Sequence, residues 1–117
     1  MANGGLLLDV SGEFPIFVFT GYCSDESIAS LQPELKSLRS KGHNKFIFDF
    51  SDCMIVNSVG MAELLDAILI IDQDFAGFTV LTSLDSIKET LFKVSGIIPI
   101  CKTANDNSAA IEILRKL

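Results

Sequence analysis

The sequence predicts an α/β domain with a mostly parallel central sheet, an N-terminal antiparallel hairpin and about four helices. Three observations carry that expectation. Two short strand-like runs stand at the start with a turn between them. After them, strand-like runs alternate with segments whose apolar residues recur at spacings of three and four. The connections in that alternation are long enough to return each strand parallel to the last, with helices laid on the sheet. A length of 117 residues, 49% of them hydrophobic and nine of them Phe, fits one core, so residues 1–117 are expected to form a single domain.

The elements follow in order. Leu6 to Ser11 and Pro15 to Thr20 carry aromatic and β-branched residues around the turn-prone Gly12-Glu13, which predicts the hairpin. Beyond Gly21, Ile28, Leu31, Leu35 and Leu38 line one face of a helix that Gly42 ends. Pro33 fits that helix only if Ser27 or Ser30 starts it, which places the proline near its first turns. Lys45 to Phe50 is apolar almost throughout, as a central strand covered on both faces should be. A loop over Ser51 to Asn57 then leads to a second helix from about Ser58 to Asp74, with Met61, Leu64, Leu65, Ile68 and Ile71 on one stripe. Gly77 to Leu81 reads as the next strand. Thr82 to Asp85 offers N-caps for a third helix, along which Ile87, Leu91 and Val94 recur until Gly96 stops it. Ile97 to Lys102 should re-enter the sheet, and Asn105 to Ser108 should cap a last helix bearing Ile111, Leu114 and Leu117.

Charge and cysteine content exclude several functions. Nine Lys plus Arg against fifteen Asp plus Glu give a net charge of −6, with the cations scattered, so nucleic acid is not an expected partner. The start of the chain, Met1 to Gly5, has no basic leader region, and the apolar run Ala67 to Ile71 is far shorter than the roughly 20 residues of a spanning helix. A cytoplasmic protein without membrane insertion is expected. Cys23, Cys53 and Cys101 are odd in number and widely separated, and read as reduced core residues. Phosphate-binding glycine loops, zinc motifs and nucleophile elbows are all missing, and the one histidine, His43, follows a helix-ending glycine. Asp49 and Asp52 could in principle hold a metal, but read better as strand-end and turn carboxylates. No enzyme activity, no metal and no cofactor are expected.

The informative segment runs from Phe48 to Leu65, where a buried strand passes into a helix that begins at a serine. Asp49-Phe50-Ser51 at the strand end and Asn57-Ser58-Val59-Gly60-Met61 at the helix start resemble the signature of the STAS family, named for sulfate transporters and anti-sigma factor antagonists. Thr20-Gly21 and Leu91-Phe92-Lys93-Val94-Ser95-Gly96-Ile97 extend the resemblance over almost the whole chain. Asn57 stands where the family usually has aspartate, Val59 where it has a second small residue, and Tyr22-Cys23-Ser24-Asp25 where kinase-recognised members carry Glu-Leu-Asp.

The resemblance implies an anti-sigma factor antagonist. Such a protein binds an anti-sigma factor or serine protein kinase, the partner holds the ATP, and phosphorylation of Ser58 ends the contact. Partner-binding residues are then expected at Asn57, Val59, Gly60, Met61 and Glu63, with Asp25 nearby. Projection of the second helix at ~3.6 residues per turn adds an exposed Ile70, opposite Leu64 and Leu65. A serine at a helix start has two uses, capping the helix or accepting a phosphate that the exposed N–H groups and helix dipole favour. Two rival readings remain: a non-switched STAS accessory or scaffold subunit, of a stress-signalling or lipid-transport assembly, and a small-molecule-binding α/β protein.

Overall fold

The hairpin forms where the first two apolar runs stand: strand β1 (Gly5–Asp9) pairs antiparallel with β2 (Ile16–Cys23), Gly5 opposite Thr20 and Asp9 opposite Ile16. The computed structural model describes residues 4–117; Met1 to Asn3, part of the segment read for a leader, lie outside the described residues. Five strands make one sheet in the order β1-β2-β3-β4-β5, and every pairing after the first is parallel. Strand β3 (Lys45–Val56) is central, flanked by β2 and by β4 (Phe78–Thr82), and β5 (Lys102–Ala104) closes the far edge.

Alternation along β3 divides the interior. Phe46, Phe48 and Phe50 face one side with Phe17 and Phe19 of β2, and helices α1 (Leu31–Ser40), α2 (Ser58–Leu69) and α3 (Ser86–Val94) cover them. Phe19 stacks on Phe50 at 4.7 Å, and Phe50 meets Phe92 of α3 edge-on at 5.3 Å. Ile47 faces the other side with Val80, where Ala110 and Leu114 of α4 (Asn107–Arg115) cover them. This is the strand burial on both faces that the sequence predicts.

Pro33 sits inside the first turn of α1, as its tolerance requires. The first helical hydrogen bond runs from the Glu34 N–H to the Ser30 carbonyl, one residue after the proline, so the missing N–H has no bond to lose. Ser30 occupies the cap position without a side-chain cap bond, and Ile28 is buried in the turn before the helix. Helix α2 runs into a π-helical segment, Ile70–Asp74, so the expected end at Asp74 is reached with a wider last turn. At the end of α3, Gly96 stands at φ +87°, the left-handed stop expected of it.

Three expectations need correction. Ser51 to Val56 is not loop but the second half of β3, paired with the end of β2 at Thr20–Asp52, Gly21–Cys53, Tyr22–Ile55 and Cys23–Val56. The register shifts twice along that stretch, and Gly21 at φ +63° carries the bend, so no simple alternation marks it as strand. Ile97 to Lys102 does not re-enter the sheet at once. Pro99 has no N–H for a ladder, and Ile98–Ile100 forms a 3₁₀ turn that leaves only three residues for β5. The stripe of α3 faces outward: Ile87 and Val94 are 78% and 82% exposed, while Lys88 and Phe92 are buried. Filling the space beside Phe50 with Phe92 fixes that rotation.

Candidate functional site

The start of α2 is built on the end of β2. The Asn57 N–H donates to the Cys23 carbonyl at 3.0 Å, and the Asn57 side chain accepts from the Gly60 N–H at 2.7 Å. Asn57 is therefore the N-cap, in extended backbone, and its carbonyl takes the first helical bond from the Met61 N–H at 2.9 Å. Gly60 is buried so close to β2 that a β-carbon there would stand 2.6 Å from the Cys23 carbonyl oxygen. Met61 is buried beneath the helix.

The cap assignment corrects the simpler use of Ser58. Ser58 is the first residue of the helix, exposed, and takes no part in capping. The substitution of asparagine for the family's aspartate also acquires a physical meaning. Asn and Asp cap equally well, so the fold keeps its oxygen acceptor while the position beside Ser58 loses a negative charge.

Exposed apolar side chains precede and follow Ser58 along the chain. Val59 is 49% exposed, and Met54 and Ile55 at the end of β3 are exposed as well. Asp25 is exposed two residues beyond Cys23, in a turn tied by the Ser24 N–H to the Ser27 hydroxyl at 2.9 Å. The fold thus brings Asn57, Ser58, Val59 and Gly60 together and sets the Asp25 turn in the chain that leaves Cys23.

Two predicted site residues lie elsewhere. Glu63 is half-buried on a shallow groove toward α1, with Ile28, Pro33 and Lys36. Ile70, expected on an open face with Ala67, is half-buried against the main core, and Ala67 is fully buried. Helix α2 is apolar on more than one side and packs on both, so the projection, which assumes one buried face, misplaces Ala67 and Ile70. Ile70 is half-buried, not openly exposed as expected.

The Asp-Phe-Ser end of the central strand performs a structural task. Asp49 is buried, accepts from the Ser51 N–H at 2.8 Å and from the Asn107 amide at 2.9 Å, and Asn107 in turn accepts from the Thr82 hydroxyl at 2.7 Å. This chain ties β3, β4 and the start of α4 together. Asn107 escaped the sequence reading because it lies inside a polar cluster taken as caps; the cap itself is Asp106, which accepts from the Ala109 N–H. No group of three or more His, Cys, Asp or Glu that could hold a metal occurs among the described residues.

A second side chain that the sequence did not single out is Lys88. It is buried, and its ammonium donates to Asp85 at 2.7 Å and to the Met54 carbonyl at 3.4 Å, which joins α3 to the end of β3. The cysteines are free. Burial pushes the Cys23 and Cys101 thiols up to about 12 and raises Cys53, whose shift the nearby Lys88 opposes, so all three are protonated at neutral pH. No helix among the described residues is long and apolar enough to cross a membrane.

No protein-family model matches the chain, and no curated protein matches it by sequence. Solved structures do match over nearly its full length. A Thermotoga maritima protein assigned as an anti-sigma factor antagonist superposes with a TM-score of 0.79 at 19% identity, covering 94% of each chain. The anti-sigma factor antagonist SpoIIAA in its unphosphorylated form gives a TM-score of 0.76 at 15% identity, over 97% of this chain and all of that one. SpoIIAA of Bacillus in its phosphorylated form gives 0.72 at 16% identity, over 93% of this chain and 99% of that one. The murine anion transporter Slc26a9 contains a region matching all of this chain, 23% of the transporter's length, with a TM-score of 0.64 at 10% identity. The chain has the SpoIIAA-like STAS fold.

Proposed function

We propose that this protein is a regulatory binding module of the anti-sigma factor antagonist type, which docks on an anti-sigma factor or serine kinase through the start of α2 and is released by phosphorylation of Ser58. What carries this reading is an exposed hydroxyl on the first residue of a helix whose cap is already supplied by Asn57. Modification there costs the fold no capping bond. In the reaction the Ser58 oxygen bonds to the γ-phosphorus of an ATP held by the partner, the bond to ADP breaks, and the hydroxyl proton passes to a base of the partner.

The phosphate adds about −1.5 to −2 charges. At the helix N-terminus the uncapped N–H groups and the dipole favour it, so the domain stays folded. Beside the exposed Val59 it places a hydrated dianion on a surface that a docked partner would have to desolvate. The same modification is therefore tolerated by the free protein and penalised in the complex. Two forms of SpoIIAA, unphosphorylated and phosphorylated, share this fold, which supports a module that keeps its shape through the change. The test is incubation with a co-encoded kinase and ATP, followed by mass spectrometry for phosphoserine at Ser58.

A second reading has two observations in its favour. Val59 puts a bulky exposed side chain next to Ser58, and the matching region of Slc26a9 shows the fold serving within a transporter. A non-switched accessory or scaffold subunit would use the same apolar rim as a permanent contact and leave Ser58 unmodified.

A further inference from the structure

A shallow groove runs between α1 and α2. Ile28, Gln32, Pro33 and Lys36 form its wall on the α1 side, and Glu63 faces them from α2. Past Gln32 it continues between that residue and Asp66, Ile70 and Asp74. Val59, Glu63, Asp66 and Ile70 follow at spacings of four, three and four, which sets them on one stripe of α2. The groove therefore leads up to the exposed Val59, next to Ser58.

Its floor is apolar and its margin acidic. Ile28 is buried and Leu69 and Ile70 are half-buried, while Glu63, Asp66 and Asp74 stand against one lining cation, Lys36. Among the described residues, none of these three carboxylates forms an ion pair.

We infer that the groove receives a basic amphipathic helix of the partner that docks at Ser58. Its aliphatic side chains would lie against Ile28, Leu69 and Ile70, and its lysines or arginines toward Glu63, Asp66 and Asp74. The inference rests on the reading above, that a partner docks at the start of α2. Charge fixes the sign of the occupant, since three unpaired carboxylates over one ammonium attract a cationic segment and repel an acidic one. A second copy of the chain, at −6, brings mostly acid. The form of the occupant follows from the walls. Both are helical, so an extended peptide would find no ladder to join, whereas a helix satisfies its own backbone and lays an apolar face into a groove. Glu63 to Asp74 spans about 16 Å at about 1.5 Å per residue, the length of about three turns.

Two titrations of the intact protein test this. In the first, a synthetic helix of leucine and lysine, with leucines at spacings of three and four, is followed by amide chemical shifts. A peptide with glutamate in place of each lysine is the control. Shifts are expected at Gln32, Asp66 and Ile70 with the lysine peptide alone, and Asp66→Lys should raise its dissociation constant at least about tenfold by setting like charges together. Glu112→Lys makes the same charge change on α4, across the sheet, and should leave that constant unmoved. In the second, the co-encoded anti-sigma factor or kinase replaces the peptide, and the same order of variants is expected. Asp66 and Glu112 are exposed, and circular dichroism melts should show both variants folded. Shifts away from the groove, equal binding of the two peptides, or a partner that binds Asp66→Lys as tightly as the unmodified protein would overturn the inference. So would self-association that Asp66→Lys abolishes, which would assign the groove to a second copy. Phosphoserine at Ser58, read by mass spectrometry in the same samples, reports the switch separately, so the groove and the switch fail independently.

Discussion

Gly60 and Cys23 are in backbone contact: a β-carbon on Gly60 would lie 2.6 Å from the Cys23 carbonyl oxygen, and the Cys23 carbonyl also receives the Asn57 N–H. The start of α2 is thereby fixed to the end of β2. Gly60→Ala has to push the two apart, since the obstruction is backbone and not a flexible side chain. A loss of about 1–3 kcal/mol in unfolding free energy is expected, the usual cost of overpacking. Urea unfolding measures it, and an unchanged midpoint would show that the helix can shift without penalty.

Capping gives a second expectation that separates neighbours in sequence. Asn57→Ala removes the acceptor of the Gly60 N–H and should cost about 0.5–2 kcal/mol, whereas Asn57→Asp should be close to neutral. Ser58→Ala should change stability by less than about 0.5 kcal/mol, because its hydroxyl caps nothing and surface substitutions away from such features stay in that range. Thermal melts of the three variants decide between Asn57 and Ser58 as the cap.

The Asp49–Asn107–Thr82 chain predicts a large effect far from the candidate site. Asn107→Ala deprives the buried Asp49 carboxylate of a donor and should cost about 1.5–3 kcal/mol, as hydrogen bonds to charged groups do. Thr82→Val should cost less, since it strips the donor from Asn107 and not from the carboxylate. Denaturant titration of both variants checks the order.

Alkaline pH should reveal the buried thiols. Burial raises Cys23 and Cys101 from an ordinary value of 9.0 to about 12 in the folded protein, so the unfolded chain loses those protons first. Their contribution is fully present below about pH 9 and is lost as pH rises toward 12. Unfolding free energy should fall over that window, and Cys23→Ala with Cys101→Ala should flatten the slope. A pH profile of urea midpoints provides the measurement.

How much of this was legible in the sequence follows from what each signal depends on. The hairpin, central strand and helix positions could be read because a continuous apolar run such as Phe46–Phe50 and the three-and-four spacing of Leu31–Leu38 are local properties. The extension of β3 through Val56 could not, since its hydrogen bonds depend on β2 bending at Gly21 to meet it. The outward stripe of α3 was hidden because periodicity identifies an apolar face without saying which face the sheet takes, and Phe92 decided that. At the site, Ser58 and its neighbours were visible through their motif, while the cap, the Gly60 contact and Asn107 required three-dimensional partners. The exposure expected of Ile70 failed because a projection assumes one buried face, and α2 packs on more than one.

The central claim is that a charge on Ser58 breaks a complex without breaking the fold. Calorimetric titration of the co-encoded anti-sigma factor or kinase against unmodified protein, Ser58→Ala and protein phosphorylated at Ser58 tests it most directly, with thermal melts alongside. Unmodified protein and Ser58→Ala should bind alike. The phosphorylated form should bind at least about tenfold more weakly, from the desolvation and repulsion of its phosphate, while melting within a few degrees of the others. Equal binding by the phosphorylated and unmodified forms, or a kinase that leaves Ser58 unlabelled, would contradict the switch and favour the accessory-subunit reading.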